Sequence, residues 1–260
     1  MIDAWDPARY ERFKAERTAP FFDLLALTKP HPGALAVDLG CGTGELTAEL
    51  HRHVQAAATT GIDRSANMLA RAEAHAGGGL RFDRGDMAAF GGPPRYDIVA
   101  ANAALQWLPD HVTTLARWSE GLNAGGQLAV QMPCNWDHPS HLLSAEVAAE
   151  QPFLDAFGGE PPPDPVRGVL APEAYAQLLD DLGYADQHVR LQVYGHRLPS
   201  ADAVVDWVAG TSLTRFEERL TPELYALLVE RYRERLREAL GARAPYFYAF
   251  KRILLWARRP

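Results

Sequence analysis

A short apolar strand that runs directly into a glycine-rich turn constrains this chain more than any other feature. Leu35-Ala36-Val37-Asp38-Leu39 is followed at once by Gly40-Cys41-Gly42-Thr43-Gly44, and a helix through about Val54 opens behind it. Glycines at such a junction adopt backbone angles closed to other residues and let a ligand approach the main chain closely. A strand-turn-helix unit of this kind belongs to a parallel sheet with helices on its faces. The glycine spacing is GxGxG. A dinucleotide fingerprint would need glycine or alanine one position later, where Glu45 stands. An acid, Asp38, lies two residues before the first glycine and suits an ammonium group better than a phosphate.

The alternation continues along the chain. Thr59–Ile62 reads as a strand ending on Asp63, and Ser65 caps a helix reaching about His75. Leu80–Phe82 is a weak strand leading to Gly85-Asp86. Tyr96–Ala101 and Gly126–Met132 are further strands, with a helix over 110–121 between them. Upstream, residues 7–28 read as a helix capped by Asp6, with Pro7 in its first turn and a kink or break at Pro20. Downstream, helices are expected over 137–157, 172–182, 201–209 and 222–240, and strands over Val189–Tyr194 and Phe247–Trp256. Residues 158–168 form a proline-rich connector. In the 222–240 segment, Leu224, Leu228, Tyr232, Leu236 and Leu240 line one stripe. Its charged run places Glu230 against Arg233 and Glu234 against Arg237 on a solvated face.

The expected architecture is therefore α/β. It is a Rossmann-like doubly wound sheet with mostly parallel strands, an antiparallel last strand, and helical insertions over the substrate rim. We read one domain over 1–260, with a cofactor-binding core in 1–132. Residues 133–260 supply the remaining core strands and a helical cap. The length of 260 residues is ample for this. A formal charge of −7 argues against a nucleic-acid binder, whose footprint is a basic face. Cys41 and Cys134 have no CxxC partner and imply neither a disulfide framework nor zinc. No secretory leader is evident at the N-terminus and no apolar run nears the roughly 20 residues of a membrane span, so the cytosol is the expected compartment. Oligomeric state is left open.

Three acids stand at successive strand ends: Asp38, Asp63 and Asp86. In this fold class, ligands bind outside the carboxyl ends of the strands. A carboxylate at Asp63, nineteen residues after Gly44, is placed to accept two ribose hydroxyls, and Asp86 to meet an adenine amino group. Together with Asp38 they describe a ligand that carries both an adenosine and an ammonium group. A lone GxGxG would mark no more than a tight turn.

These residues resemble the motifs of class I methyltransferases: Asp38 to Gly44 the first, Gly61-Ile62-Asp63 with Ser65 and Met68 the second, Gly85-Asp86-Met87 the third. Beyond them, the chain resembles the trans-aconitate 2-methyltransferase family over nearly its whole length. The stretches that carry this are Trp5-Asp6-Pro7 with Tyr10, Phe13 and Arg17; Ala101 to Pro109; and Val130-Gln131-Met132-Pro133 with Asn135. Ser140-His141, Tyr194 with His196, Asp206-Trp207-Val208, and Phe250 with Arg252 continue it. The chain departs from the family in the proline-rich connector Gly158–Gly168. It departs again at Ile253-Leu254-Leu255-Trp256, where the family's phenylalanine is missing.

The resemblance implies S-adenosylmethionine as methyl donor and a carboxylate of a small tricarboxylic acid as acceptor. It places cofactor contacts at Asp38, Gly40, Cys41, Gly42, Gly44, Asp63, Met68, Asp86, Met87, Asn102 and Trp107. Substrate contacts fall at Tyr10, Arg17, Gln131, Asn135, Tyr194, His196, Trp207 and Arg252. A carboxylate is ionised at pH 7 and needs no general base, so no catalytic triad is expected. No metal is expected either: His138 and His141 are three apart, with no third ligand evident. Arg252 shares one strand face with Phe250, Leu254 and Trp256, and its guanidinium fork suits a carboxylate. Three other readings remain. One is methylation of malonyl-carrier protein, whose enzymes also show an LQW-like stretch. Another is methylation of a different small molecule, and the last is a non-catalytic cofactor-binding partner protein. Base N-methylation would need an Asn/Asp-Pro-Pro-aromatic loop where Ala101-Asn102-Ala103-Ala104 stands.

Overall fold

The computed structural model describes the backbone of residues 14–260 and the side chains from Thr18 onward. The expected cap at Asp6, the turn at Pro7 and the side chains of Tyr10 and Arg17 lie outside the described residues. The chain divides into two compact units. One, the core unit, comprises Lys14–Pro133, Gly168–Gln192 and Arg252–Pro260.

This core unit holds the strands β1 (Leu35–Leu39), β2 (Ala58–Asp63), β3 (Leu80–Arg84), β4 (Tyr96–Asn102) and β5 (Leu122–Pro133). Neighbouring pairs among these five strands run parallel. Two further strands, β6 (Asp186–Leu198) and β7 (Tyr246–Arg258), complete a seven-stranded sheet of order β3-β2-β1-β4-β5-β7-β6. β7 is antiparallel to β5, with Gln131 opposite Leu254 and Pro133 opposite Arg252. The order reverses between β1 and β4, and ligands of such sheets bind at that switch point. Residues Ile98–Ala101 and Leu128–Met132 are fully buried, as strands covered on both faces must be.

The helices follow the expected intervals. α1 (Lys14–Leu27) is not split at Pro20. α2 (Glu45–Val54) starts at Gly44, whose φ is +76°. In α3 (Ala66–Ala72), the Ser65 hydroxyl accepts the Met68 N–H, and a 3-10 turn over Glu73–His75 extends it. In α4 (His111–Glu120), the Asp110 carboxylate caps Thr113 N. Caps of this kind contribute about 1 kcal/mol each. α5 (Pro139–Ala148) and α6 (Phe153–Ala156) replace the single helix expected over 137–157. Pro152 explains the break, because it has no N–H for the carbonyl four residues back. α7 (Pro172–Asp181) ends the insertions of the core unit.

The second unit, within the described residues, comprises Cys134–Arg167 and Val193–Lys251. It contains α5, α6, α8 (Ala203–Ala209), α9 (Thr214–Glu217) and α10 (Pro222–Leu240). α9 was not expected from sequence; four residues are too few to show a helical period. Its core gathers Val147, Phe153, Trp207, Phe216, Leu228, Tyr232, Leu236, Tyr248 and Phe250. Leu228, Tyr232 and Leu236 are the buried centre of the expected stripe, and Leu224 and Leu240 are its half-buried ends. Glu230 pairs with Arg233 as the spacing predicts, at 3.5 Å. The expected Glu234–Arg237 pair does not form. Arg237 makes a two-pronged bond to Asp202 instead, at 2.7 and 3.0 Å, because that geometry satisfies both carboxylate oxygens.

Candidate functional site

The glycine turn is clamped onto the end of β2. Gly40 N and Cys41 N both donate to the carbonyl of Ile62, at 2.8 and 3.1 Å. Gly42 N donates to Asp63 Oδ2 at 2.9 Å, and Ser65 N to Asp63 Oδ1 at 2.8 Å. Asp63 is thus the anchor of the turn as well as a candidate ligand. Each carboxylate oxygen keeps a second lone pair. The turn needs glycine for two reasons. Gly40 has φ +78°, and a Cβ there would lie 2.5 Å from Ala104 Cβ. Gly44 has φ +76°, and a Cβ there would lie 2.6 Å from the Phe82 ring. A backbone surface with no room behind it and bare Cα atoms is a fitting cradle for an adenosyl amino acid.

The other expected cofactor residues fall around this turn. Met87 Sδ is 3.7 Å from the Cβ position of Gly40. Its carbonyl is fixed by Trp118, whose indole N–H donates to it at 3.0 Å. Asp86 is exposed and caps the 3-10 turn Met87–Ala89 by accepting from Ala88 N at 2.9 Å. Met68 is buried in α3. Trp107 ends a 3-10 turn, Leu105–Trp107, in the segment after β4, and Ala103 there has φ +52°.

Asp38 is almost fully buried at the end of β1, and its Oδ2 accepts from Thr47 Oγ1 at 2.6 Å. Burial pushes its carboxyl up to about 6; the Thr47 hydroxyl opposes that rise and Asp63 adds to it. Burial also raises the Cys41 thiol far above its usual range, with Asp38 and Asp63 contributing, so it stays a thiol and is no nucleophile. Thr47 was missed in the sequence. The signal was there: a hydroxyl in the first turn of the helix behind the glycines sits where it can reach back to the strand end.

Of the expected substrate residues, the core unit holds Gln131 and Arg252. Arg252 Nη1 donates to Gln131 Oε1 at 3.0 Å, and Gln131 Nε2 donates to Asn102 Oδ1 at 2.6 Å. A line of three side chains therefore joins the ends of β4 and β5 to β7. Arg252 is only 5% exposed, and it lies opposite Pro133, the last residue of β5.

The second unit holds the others. Asn135 is fully buried; its Oδ1 accepts from Lys251 N at 3.2 Å and its Nδ2 donates to Tyr248 Oη at 3.4 Å. His196 and Trp207 are buried, with ring centroids 4.8 Å apart, and Phe250 stands 5.7 Å from Trp207. Tyr194 is half-buried on β6. Sequence reasoning passed over a buried ionic cluster in this unit. His141 Nδ1 donates to Asp164 Oδ2 at 2.9 Å, and Arg215 Nη1 stands 3.4 Å from the same oxygen. Asp164 lies in the proline-rich connector, where no periodicity marks it as buried.

Residues 36–126 match the family model described as a methyltransferase domain. A trans-aconitate 2-methyltransferase of Deinococcus radiodurans is 44% identical over 259 residues, covering 98% of each chain. One from Rhizobium meliloti is 40% identical, covering 92% of this chain and 91% of that one.

The chain belongs to the trans-aconitate 2-methyltransferase family.

A third relative of the same name, from Escherichia coli, is 38% identical and covers 98% of each chain. Solved structures show the same fold. The YcgJ protein of Bacillus subtilis matches with a TM-score of 0.59 at 11% identity, covering 93% of this chain and 98% of that one. A Haemonchus contortus phosphoethanolamine N-methyltransferase, bound to S-adenosylhomocysteine, matches with a TM-score of 0.54 at 15% identity. That match covers 92% of this chain and 52% of the other. The chain is an S-adenosylmethionine-dependent methyltransferase. Among the described residues no helix is long and apolar enough to cross a membrane.

Proposed function

We propose that the chain methylates a carboxylate of a small tricarboxylic acid such as trans-aconitate, giving a monomethyl ester and S-adenosylhomocysteine. The observation that carries this reading is Arg252, a buried guanidinium at the C-terminal rim of the parallel strands, oriented by Gln131. Its planar fork suits a carboxylate that does not react, which a polycarboxylic acid has to offer. The names of the relatives point to the same substrate.

S-adenosylmethionine supplies a methyl group that its sulfonium has already activated. A carboxylate oxygen bonds to that carbon as the carbon–sulfur bond breaks, the bonding pair stays on sulfur, and no proton moves. The protein's part is to bind, to orient the oxygen in line and to strip water from the nucleophile. Asp38, Asp63, Asp86, Met68, Met87, Asn102, Trp107 and the glycine turn are the proposed cofactor contacts. Gln131 and Arg252 hold the acid. Tyr10, Arg17, Asn135, Tyr194, His196 and Trp207 are proposed to bear on the acid's constants and not on cofactor affinity. The reaction runs without a metal.

The test is a panel of di- and tricarboxylic acids with a labelled methyl donor and mass detection of the product. The expected result is a monomethyl ester with the highest kcat/KM for trans-aconitate. Methylation of some other compound, with no ester from any acid, overturns the substrate assignment.

A further inference from the structure

Asp38, a proposed cofactor contact, forms a buried pair with Thr47, to which the reaction as derived above assigns no part. Thr47 sits in the first turn of α2, and none of its surface is exposed. Its hydroxyl has one acidic neighbour, Asp38 Oδ2 at 2.6 Å. Thr47 belongs to a helix and Asp38 to a strand, and the glycine turn Gly40–Gly44 lies between them. The bond therefore closes a loop around the turn that cradles the cofactor. A buried carboxylate with no donor would take up a proton, since burial disfavours its charged form. A protonated Asp38 offers a cation no opposite charge.

We infer that Thr47 is a positioning residue that keeps the Asp38 carboxylate charged and aimed at the ammonium group of S-adenosylmethionine. This rests on the cofactor reading above. Two other titratable groups face Asp38: Asp63 at the end of β2, which acts on it, and the Cys41 thiol in the turn, which Asp38 itself pushes up and which stays neutral. Asp63 pushes Asp38 towards protonation, and the Thr47 hydroxyl opposes it. Burial holds the Asp38 carboxyl up at about 6 when no cation faces it. Binding of an ammonium ligand then expels the carboxyl proton, and affinity rises with pH through this range. Without the hydroxyl the range moves upward, so the loss of affinity is greatest at low pH. A purely structural role for Thr47 would weaken binding equally at every pH.

The experiment is calorimetric and needs no turnover. S-adenosylhomocysteine is titrated into wild type, Thr47→Val, Thr47→Ala and Thr47→Ser at pH 6.0, 7.0 and 8.5. The same series is run with 5′-methylthioadenosine, which carries the adenosine and no amino-acid tail. If the hydroxyl is worth about one pKa unit, Thr47→Val weakens S-adenosylhomocysteine about fivefold at pH 6.0. The ratio of mutant to wild-type Kd then shrinks towards pH 8.5. Titration of the ligand's own amine is common to both proteins and cancels in that ratio. Thr47→Ala follows Thr47→Val, Thr47→Ser restores wild-type binding, and 5′-methylthioadenosine binds all four alike. A pH-independent ratio overturns the inference, as does equal weakening of 5′-methylthioadenosine in both hydroxyl-less variants. Failure of the wild type to bind S-adenosylhomocysteine would instead remove the cofactor reading, leaving the Asp38–Thr47 bond as packing.

Discussion

Arg252 donates a hydrogen bond to the side-chain oxygen of Gln131 at 3.0 Å, across the antiparallel seam between β7 and β5. The two residues are 121 apart in sequence, and both are buried. Gln131 in turn donates to Asn102. The direction of the amide is thereby settled: its oxygen faces the guanidinium and its nitrogen faces Asn102.

Truncating a desolvated arginine that holds substrate costs about 2–5 kcal/mol. Arg252→Leu is expected to raise KM for the acid with little change in the Kd of S-adenosylhomocysteine. Arg252→Lys rescues only in part, because an ammonium lacks the fork. Gln131→Leu should act in the same direction by releasing the guanidinium. Steady-state kinetics beside calorimetry measure both; unchanged constants in a folded Arg252→Leu protein would put the acid elsewhere.

Asp63 binds the glycine turn through Oδ2, which accepts from Gly42 N, while its Oδ1 accepts from Ser65 N. Asp63→Ala should weaken cofactor binding by at least the roughly 1.5–3 kcal/mol of hydrogen bonds to a charged group. Gly40→Ala should do more, because it meets both a positive φ and the Ala104 methyl. A positive φ at a non-glycine residue alone costs about 1–3 kcal/mol. Calorimetry with S-adenosylhomocysteine and thermal melts, measured together, separate lost binding from lost folding.

In the second unit, Asp164 neutralises Arg215, which is buried against Phe216 and bonded to Ser144 Oγ at 3.1 Å. Burial would raise the Asp164 carboxyl, but His141 and Arg215 together hold it below the usual range. Asp164→Asn leaves the guanidinium buried and unpaired and is expected to cost about 3–5 kcal/mol in urea unfolding. The carboxylate's contribution is fully present above its unfolded value of 3.8 and is lost as pH falls through the lower folded value. Asp164→Asn should therefore lose that acid-side dependence.

His138 caps α5, its Nδ1 accepting from Ser140 N at 3.1 Å, and its Nε2 lies 3.2 Å from Tyr246 Oη. Burial pushes it down to about 4, helped by His141. The unfolded chain then binds more protons between 6.5 and about 4, so stability falls as pH drops through that window. His138→Asn keeps a cap and should hold stability at pH 7 while flattening that slope, as measured by urea midpoints across pH 4–7.

Turnover should survive EDTA. The nucleophile is ionised without help, and the sulfonium needs no Lewis acid. Complete loss of ester formation with chelator, restored by Mg²⁺, would refute this.

The fold was legible because its signals are local. Apolar runs such as Ile98–Ala101 and Leu128–Met132, punctuated by glycine and capped by Ser65 and Asp110, describe each βα unit within a few residues. The glycine turn with Asp38 and Asp63 was legible for the same reason: backbone geometry at a strand-to-helix junction is written in the residues that form it. Boundaries were less so. β5 begins at Leu122, ahead of the Gly125-Gly126 pair that reads as its start, since Leu122 already pairs with Tyr96 of β4 and the glycines lie in an irregularity before Gln127 pairs with Ile98. The helix expected over 137–157 ignored Pro152.

What the tertiary structure decided is which polar groups meet. Nothing local links Arg252 to Gln131, Asp164 to Arg215, or Arg237 to Asp202 rather than Glu234. A charged or amide side chain has several partners within reach of its flexible stem. For the buried Arg252 and Arg215 the choice among them is made by burial, which penalises every unmatched donor and so selects the one pairing that the packed chain allows. Thr47 shows the same division. Its helix was evident from the sequence, but its bond to Asp38 exists only because the glycine turn folds the helix back against the strand.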